Sequence, residues 1–278
     1  FYDYPLKKVF HALTLMPLAF PAYVLGFIYL GLCGPGTPWS EYFHLQGELI
    51  FLVLLLSFAL TPYVYYFSYL GFRTLSQNEW ETEKILNGGF FKFMLYHWGP
   101  KVLPFLISAQ ILVLFETLSD FGAASVVNVP VVTTLIYKLW FDLFSFEGAV
   151  QLALKYSIVI VAILGLEWSL KLRSDEKGAL AKMPLRGRKL EWHHEALMLF
   201  PKVLFILLAF VIPAIQIALW SLEVNDMGLW QETLASGLYT LGVASGAGFI
   251  VVVISLWIHY LLKAVSYTHL TLPTKRIV

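Results

Sequence analysis

Leu49-Ile-Phe-Leu-Val-Leu-Leu-Leu-Ser-Phe-Ala-Leu-Thr-Pro-Tyr-Val-Tyr-Tyr-Phe-Ser-Tyr-Leu-Gly71 runs without one charged side chain. A hydrocarbon core about 30 Å thick takes roughly 20 residues of helix to cross, and this stretch is long enough. Its apolar residues do not alternate with polar ones, as a barrel strand facing lipid on one side would require. Lipid offers no partner to an open backbone N–H or C=O, which leaves helix as the conformation. Five further stretches read the same way, at 10–32, 102–118, 149–170, 203–222 and 235–262. The sequence therefore predicts an all-α, polytopic transmembrane helical bundle with about six spans.

Composition agrees. Of 278 residues, 59% are hydrophobic, 17% aromatic and only 13% charged, with a mean hydropathy of +0.72. A soluble domain carries about 25% charged residues. With so few, its surface would be one continuous apolar patch, which lipid tolerates and water does not. The net charge of +1 is unremarkable, and no nucleic-acid partner is expected. The one cysteine, Cys33, excludes an internal disulfide and a cysteine metal cluster, and reads as a small apolar filler.

Where the charges sit is more informative than their sum. Lys7 and Lys8, then Arg73, Lys84, Lys92 and Lys101, then Lys171, Arg173, Lys177, Lys182, Arg186, Arg188, Lys189 and Lys202, and finally Lys263 fall on alternate loops. The intervening loops, at 33–48, 119–148 and 223–234, hold only Lys138. Positive charge marks the cytoplasmic side, so the amino end, 72–101 and 171–202 are expected there. The polar stretch 171–202 reads as a cytoplasmic basic linker between two membrane units, 1–170 with four spans and 203–264 with two. Segment 119–148, apolar but broken by Gly122 and Pro130, reads as a re-entrant or membrane-surface element buried against other helices. Residues 265–278 look like a translated sequencing adapter and are set outside the fold. The natural chain is expected to start before Phe1 and continue past Ala264.

No glycine-rich phosphate loop, nucleophile elbow or zinc-binding helix is present, so no enzyme is expected and any nucleotide chemistry belongs to a partner. Glu116 and Asp120 stand four apart, on one helical face at the outer end of the third span. Such a pair could line a cation path, or it could cap the turn Ser119-Asp120-Phe121-Gly122; the cap is the reading preferred. Lys155 lies inside the fourth span, close enough to its end for the ammonium to snorkel outward. Glu167 and Lys171 form a favourable helix pair. Glu191, His193, His194 and Glu195 lie in a polar linker with adjacent histidines pointing apart, and read as solvated rather than metal-binding. Gly242 and Gly246 have the small-xxx-small spacing of close helix packing. Pro17, Pro21 and Pro62 predict kinks.

Two groups of residues carry a resemblance. In 72–101, Glu81-Thr82-Glu83 opens a stretch continued by Leu86, Asn87, Gly88 and Gly89 and closed by Leu95 and Pro100. It resembles the coupling loop of binding-protein-dependent ABC permeases, which runs Glu-Ala-Ala, a glycine, then Leu-Pro-Leu-Ala-Arg-Pro. Only the first position of the triplet is kept, Asn87 stands at the glycine position, and Tyr96 stands where a proline is usual. Asparagine is the other residue that enters the left-handed conformation at modest cost. Second, 16–26, 115–123, 129–140 and 148–153 are similar to the ferric-iron permease family of these importers.

What the resemblance implies is import across a bacterial inner membrane. A periplasmic substrate-binding protein would deliver ferric iron, and a dimer of ATP-binding cassette subunits, carrying ATP-Mg, would dock on the cytoplasmic loops. This chain would bind no cofactor itself. Members fuse two permease halves, so a second coupling loop is expected beyond 264. Related permeases move thiamine, sulfate or other small solutes, and a secondary transporter without an ATPase partner is the alternative outside the family.

Overall fold

The computed structural model describes residues 6–34, 36–37, 41–42, 45, 47–85, 92, 94–172, 192–223 and 227–268. Among them there is helix and no strand. The helices are α1 (Lys7–Leu15), α2 (Ala22–Cys33), α3 (Leu49–Phe72), α4 (Gln77–Ile85), α5 (Gly99–Ser119), α6 (Gly122–Val127), α7 (Val132–Tyr137), α8 (Phe146–Leu172), α9 (Trp192–Ile206), α10 (Ile212–Glu223) and α11 (Met227–Thr268). Five stretches are long and apolar enough to cross a membrane: Leu49–Phe72, Gly99–Ser119, Phe146–Leu166, Leu199–Glu223 and Trp230–Leu261. The chain is an all-α polytopic bundle. Two compact units divide it, Phe1–Leu219 and Trp220–Val278.

The stretch at 10–32, expected to be one span kinked at Pro17 and Pro21, is broken into two helices. A 3₁₀ turn at Met16–Ala19 ends the first piece, and α1 with that turn meets α2 at 89°. Proline chemistry accounts for the break. Phe20 precedes Pro21 and is held extended (φ −102°, ψ 113°), because the proline ring crowds the helical region of its predecessor. Pro21, with no N–H to give, then caps α2, its carbonyl accepting from Val24 at 2.9 Å. Counted as one bent span, the pair raises the number of spans to six.

Segment 119–148 folds into α6 and α7, each far too short to cross, and α6 packs against α2 and α3. Ala123, Ala124 and Val127 are fully buried there with Leu25 of α2 and Leu52 and Leu55 of α3. Small residues permit this approach: a Cβ on Gly26 would lie 3.2 Å from the Val126 side chain, and one on Gly122 3.1 Å from Tyr23. Asn128 closes α6 in the left-handed region (φ 63°). Its N–H bonds to Ser125 O (3.2 Å) and the N–H of Val129 to Ala124 O (2.9 Å), the paired bonds of a Schellman ending.

A π-helical turn, Leu207–Val211, joins α9 to α10. Pro213, buried just after it, cannot donate to the carbonyl one turn back, and a wider turn accommodates the loss. The Tyr29 hydroxyl of α2 donates to the Leu208 carbonyl in that turn, and Phe20 lies 5.6 Å from Phe210, ring to ring. In α11, by itself, every residue of 230–261 is exposed, and no described atom lies within 4 Å of a Cβ placed on Gly242 or Gly246.

Candidate functional site

The turn after α3 builds a rigid short helix. Thr74 and Leu75 are buried, and the Thr74 hydroxyl donates to Gly71 O at 2.7 Å. Burying a leucine stabilises by about 1.5–3 kcal/mol relative to leaving it in water. Ser76 and Glu79 then form a reciprocal cap: the Glu79 N–H donates to Ser76 Oγ (3.3 Å), and the Ser76 N–H to Glu79 Oε2 (3.1 Å). Two backbone donors of α4 that no helical carbonyl can reach are thereby satisfied. A carboxylate in the first turn also faces the positive end of the helix dipole.

Glu79 does a second job. Its other oxygen accepts from the Lys101 ammonium at the start of α5, so the short helix is tied to the next span as well as to the preceding one. Partial burial alone would raise the Glu79 pKa, but the hydrogen bonds from Lys101 and Ser76 and the lysine charge outweigh it and hold the carboxyl below its ordinary range. Beneath this tie, α3 and α5 pack closely. A Cβ on Gly71 would sit 3.0 Å from the Val102 side chain and 3.2 Å from Phe105, and the Phe72 and Trp98 rings lie 5.7 Å apart.

Of the residues expected to form the coupling surface, Glu81 and Thr82 lie exposed on α4. Gln77 donates to Glu81 Oε1 at 2.8 Å, and Thr82 to Asn78 O at 2.8 Å. Glu83 is on the same helix but its side chain lies outside the described residues, as do Leu86, Asn87, Gly88 and Gly89. Side chains of Glu167, Lys171, Glu191, His193, His194 and Glu195 also lie outside them. Among the described residues no group of three or more His, Cys, Asp or Glu could hold a metal ion. The residues that sequence reasoning missed are Ser76, Glu79 and Lys101. The signal for the first two was present, since Ser-x-x-Glu ahead of a helix is a capping box.

The carboxylates after the third span are not equivalent. Asp120 accepts from the backbone N–H of Ala124 (3.1 Å) and of Ala123 (3.4 Å), closing the first turn of α6. Its carbonyl accepts from the Thr133 hydroxyl at 2.6 Å, and the neighbouring Leu118 carbonyl from Tyr156 of α8 at 2.6 Å. Residues 118–120 are therefore a junction of α5, α6, α7 and α8. Glu116, one turn earlier, is exposed.

Lys155 sits deeper than the span limits inferred from sequence put it. Helix α8 begins at Phe146, so Lys155 lies about 14 Å along the helix from that end. It is exposed, and among the described residues none pairs with it. A lysine at the bilayer centre costs about 3 kcal/mol on insertion scales.

No protein-family model matches the chain, and no curated protein matches it.

Proposed function

We propose that this chain is the transmembrane permease subunit of an ATP-driven importer of a bacterial inner membrane, with ferric iron, delivered by a periplasmic binding protein, as its cargo. One observation supports the reading best: a capped, exposed helix, α4, is braced against both the span before it and the span after it. A free loop would absorb a push from a partner. A helix whose first turn is anchored to both neighbouring spans passes it to α3 and α5, and alternating access needs only that such a push shift the balance between two packed arrangements. The lysine and arginine residues of 72–101 and 171–202 argue for a cytoplasmic position, where ATPase subunits holding ATP-Mg would dock. The cargo rests on the resemblance of 16–26, 115–123, 129–140 and 148–153 alone.

The test is to replace Thr82 by proline in the full-length protein, which interrupts α4 at its middle and costs a helix interior about 3 kcal/mol. The variant should still insert and still co-purify an ATPase subunit, while uptake falls at least tenfold and ATP hydrolysis continues. Unimpaired uptake, or the absence of any co-purifying ATPase from the unaltered protein, overturns the coupling role.

A further inference from the structure

Glu147, Gln151 and Lys155 recur every fourth residue on α8 and so fall within about 80° of arc on one face. All three are exposed, and the opposite face packs inward through Ala149 and Tyr156. Gln151 donates to Glu147 at 3.4 Å, so the first two members form a continuous polar surface. An aromatic cluster fixes the depth of this stripe. Tyr137, Trp140, Phe141 and Phe146 contact one another at the start of α8, with ring centroids 4.7 to 6.0 Å apart, and are each strongly exposed. Exposed aromatic groups of this kind mark the membrane–water boundary. Lys155 then lies about 14 Å below the boundary, close to the middle of a core about 30 Å thick. A lysine stem reaches about one helical turn, which brings the ammonium level with Gln151 and no further.

We propose that this face of α8 lines a water-filled path from the outer membrane surface down to Lys155, and that Lys155 is a mid-membrane binding point for an anionic solute. Lipid would leave the ammonium unsolvated, and a polar ladder leading down to it has no use on a lipid-facing surface. Glu147 does not reverse the sign of the site. It stands at the mouth, about 12 Å along the axis, where water and salt screen it, whereas Lys155 acts in a low-dielectric surround. The chemistry selected is that of a small anion, met equally by an oxyanion or by a ferric ion held in an anionic chelate; bare ferric iron is repelled. This deepens the transport reading above but needs no ATPase.

The experiment uses the full-length protein in membrane vesicles, with Cys33 replaced by alanine and a cysteine placed at Gln151 or, as a control about 3 Å further along and about 160° round the helix, at Ala153. Membrane-impermeant methanethiosulfonates bearing a sulfonate or a trimethylammonium group are compared, each rate normalised to that of a free thiol. Gln151→Cys should react and Ala153→Cys should not. The sulfonate should be favoured roughly tenfold, the preference vanishing in Lys155→Gln and persisting in Lys155→Arg. No reaction at position 151, equal reaction at 153, or a preference indifferent to Lys155→Gln overturns the proposal. Competition by sulfate or by ferric citrate then tells the two sources apart. Labelling as expected from a protein that co-purifies no ATPase would keep the path and remove the importer.

Discussion

Both oxygens of Asp120 are occupied by backbone N–H groups of α6, which makes the residue a cap before it is anything else. That assignment separates two substitutions. Asp120→Asn keeps one acceptor oxygen, so it loses the charge and the longer of the two bonds, that from Ala123 at 3.4 Å, and stability should fall by about 0.5 kcal/mol. Asp120→Ala leaves two N–H groups unsatisfied and should cost about 0.5–2 kcal/mol, read as a lower melting temperature in detergent. Uptake should survive Asp120→Asn; its abolition would show the carboxylate charge at work in the path. The sequence carried both readings, since four-residue spacing aligns Glu116 with Asp120 and Asp-Phe-Gly also suits a turn. Choosing between them needed the position of α6, which spacing along the chain does not contain. Lys155 shows the same limit, because its depth depends on where α8 starts, and Phe146 lies before the run of continuous apolar residues.

At the scale of an element, α4 is mostly polar, and its described anchors all lie at its amino end. Glu79 serves both the cap and the tie to Lys101, and its folded pKa lies below the ordinary carboxylate value. The stabilisation is therefore complete above the unfolded pKa, about 4.5, and is lost as pH falls through the lower folded value. Backbone amide exchange in α4, corrected for its intrinsic pH dependence, should be steady from neutrality to about pH 5 and accelerate in more acid solution. In Glu79→Gln that acid step should disappear, and protection at neutral pH should fall by up to fivefold, since a partly exposed ion pair contributes about 1 kcal/mol at most. A wild-type acid step that survives in Glu79→Gln would assign it to another group. The bend between α1 and α2 was partly legible: two prolines announced a kink, but helix length and apolarity over 10–32 give no measure of its angle. The capping box was fully legible, being a local pattern with a local cause.

Across the whole molecule, what sequence read best was what depends on composition over a window. Four of the long spans, 49–72, 99–119, 146–166 and 199–223, need only apolar length, and an apolar run in lipid has no alternative to helix. The faces of those helices were less legible, because a span that is apolar all round looks alike whether it meets lipid or protein. Helix α11 illustrates this: Gly242 and Gly246 mark a face suited to close packing, but the apolar run around them does not say what that face meets. Orientation is the remaining global property, and it follows from energetics rather than packing. Carrying the basic residues of 72–101 and 171–202 across the bilayer is disfavoured as a set, so both segments should share one side. Glu81 on α4 and Lys138 beyond α7 are both exposed and lie on opposite sides of the third span in this topology. With Cys33 removed, Glu81→Cys should be labelled by an impermeant maleimide only in inverted vesicles, and Lys138→Cys only in intact cells. Labelling of Glu81→Cys from outside would invert the bundle and place α4 beyond the reach of any cytoplasmic ATPase, whereas labelling of both positions from one side would mean that α5 does not cross.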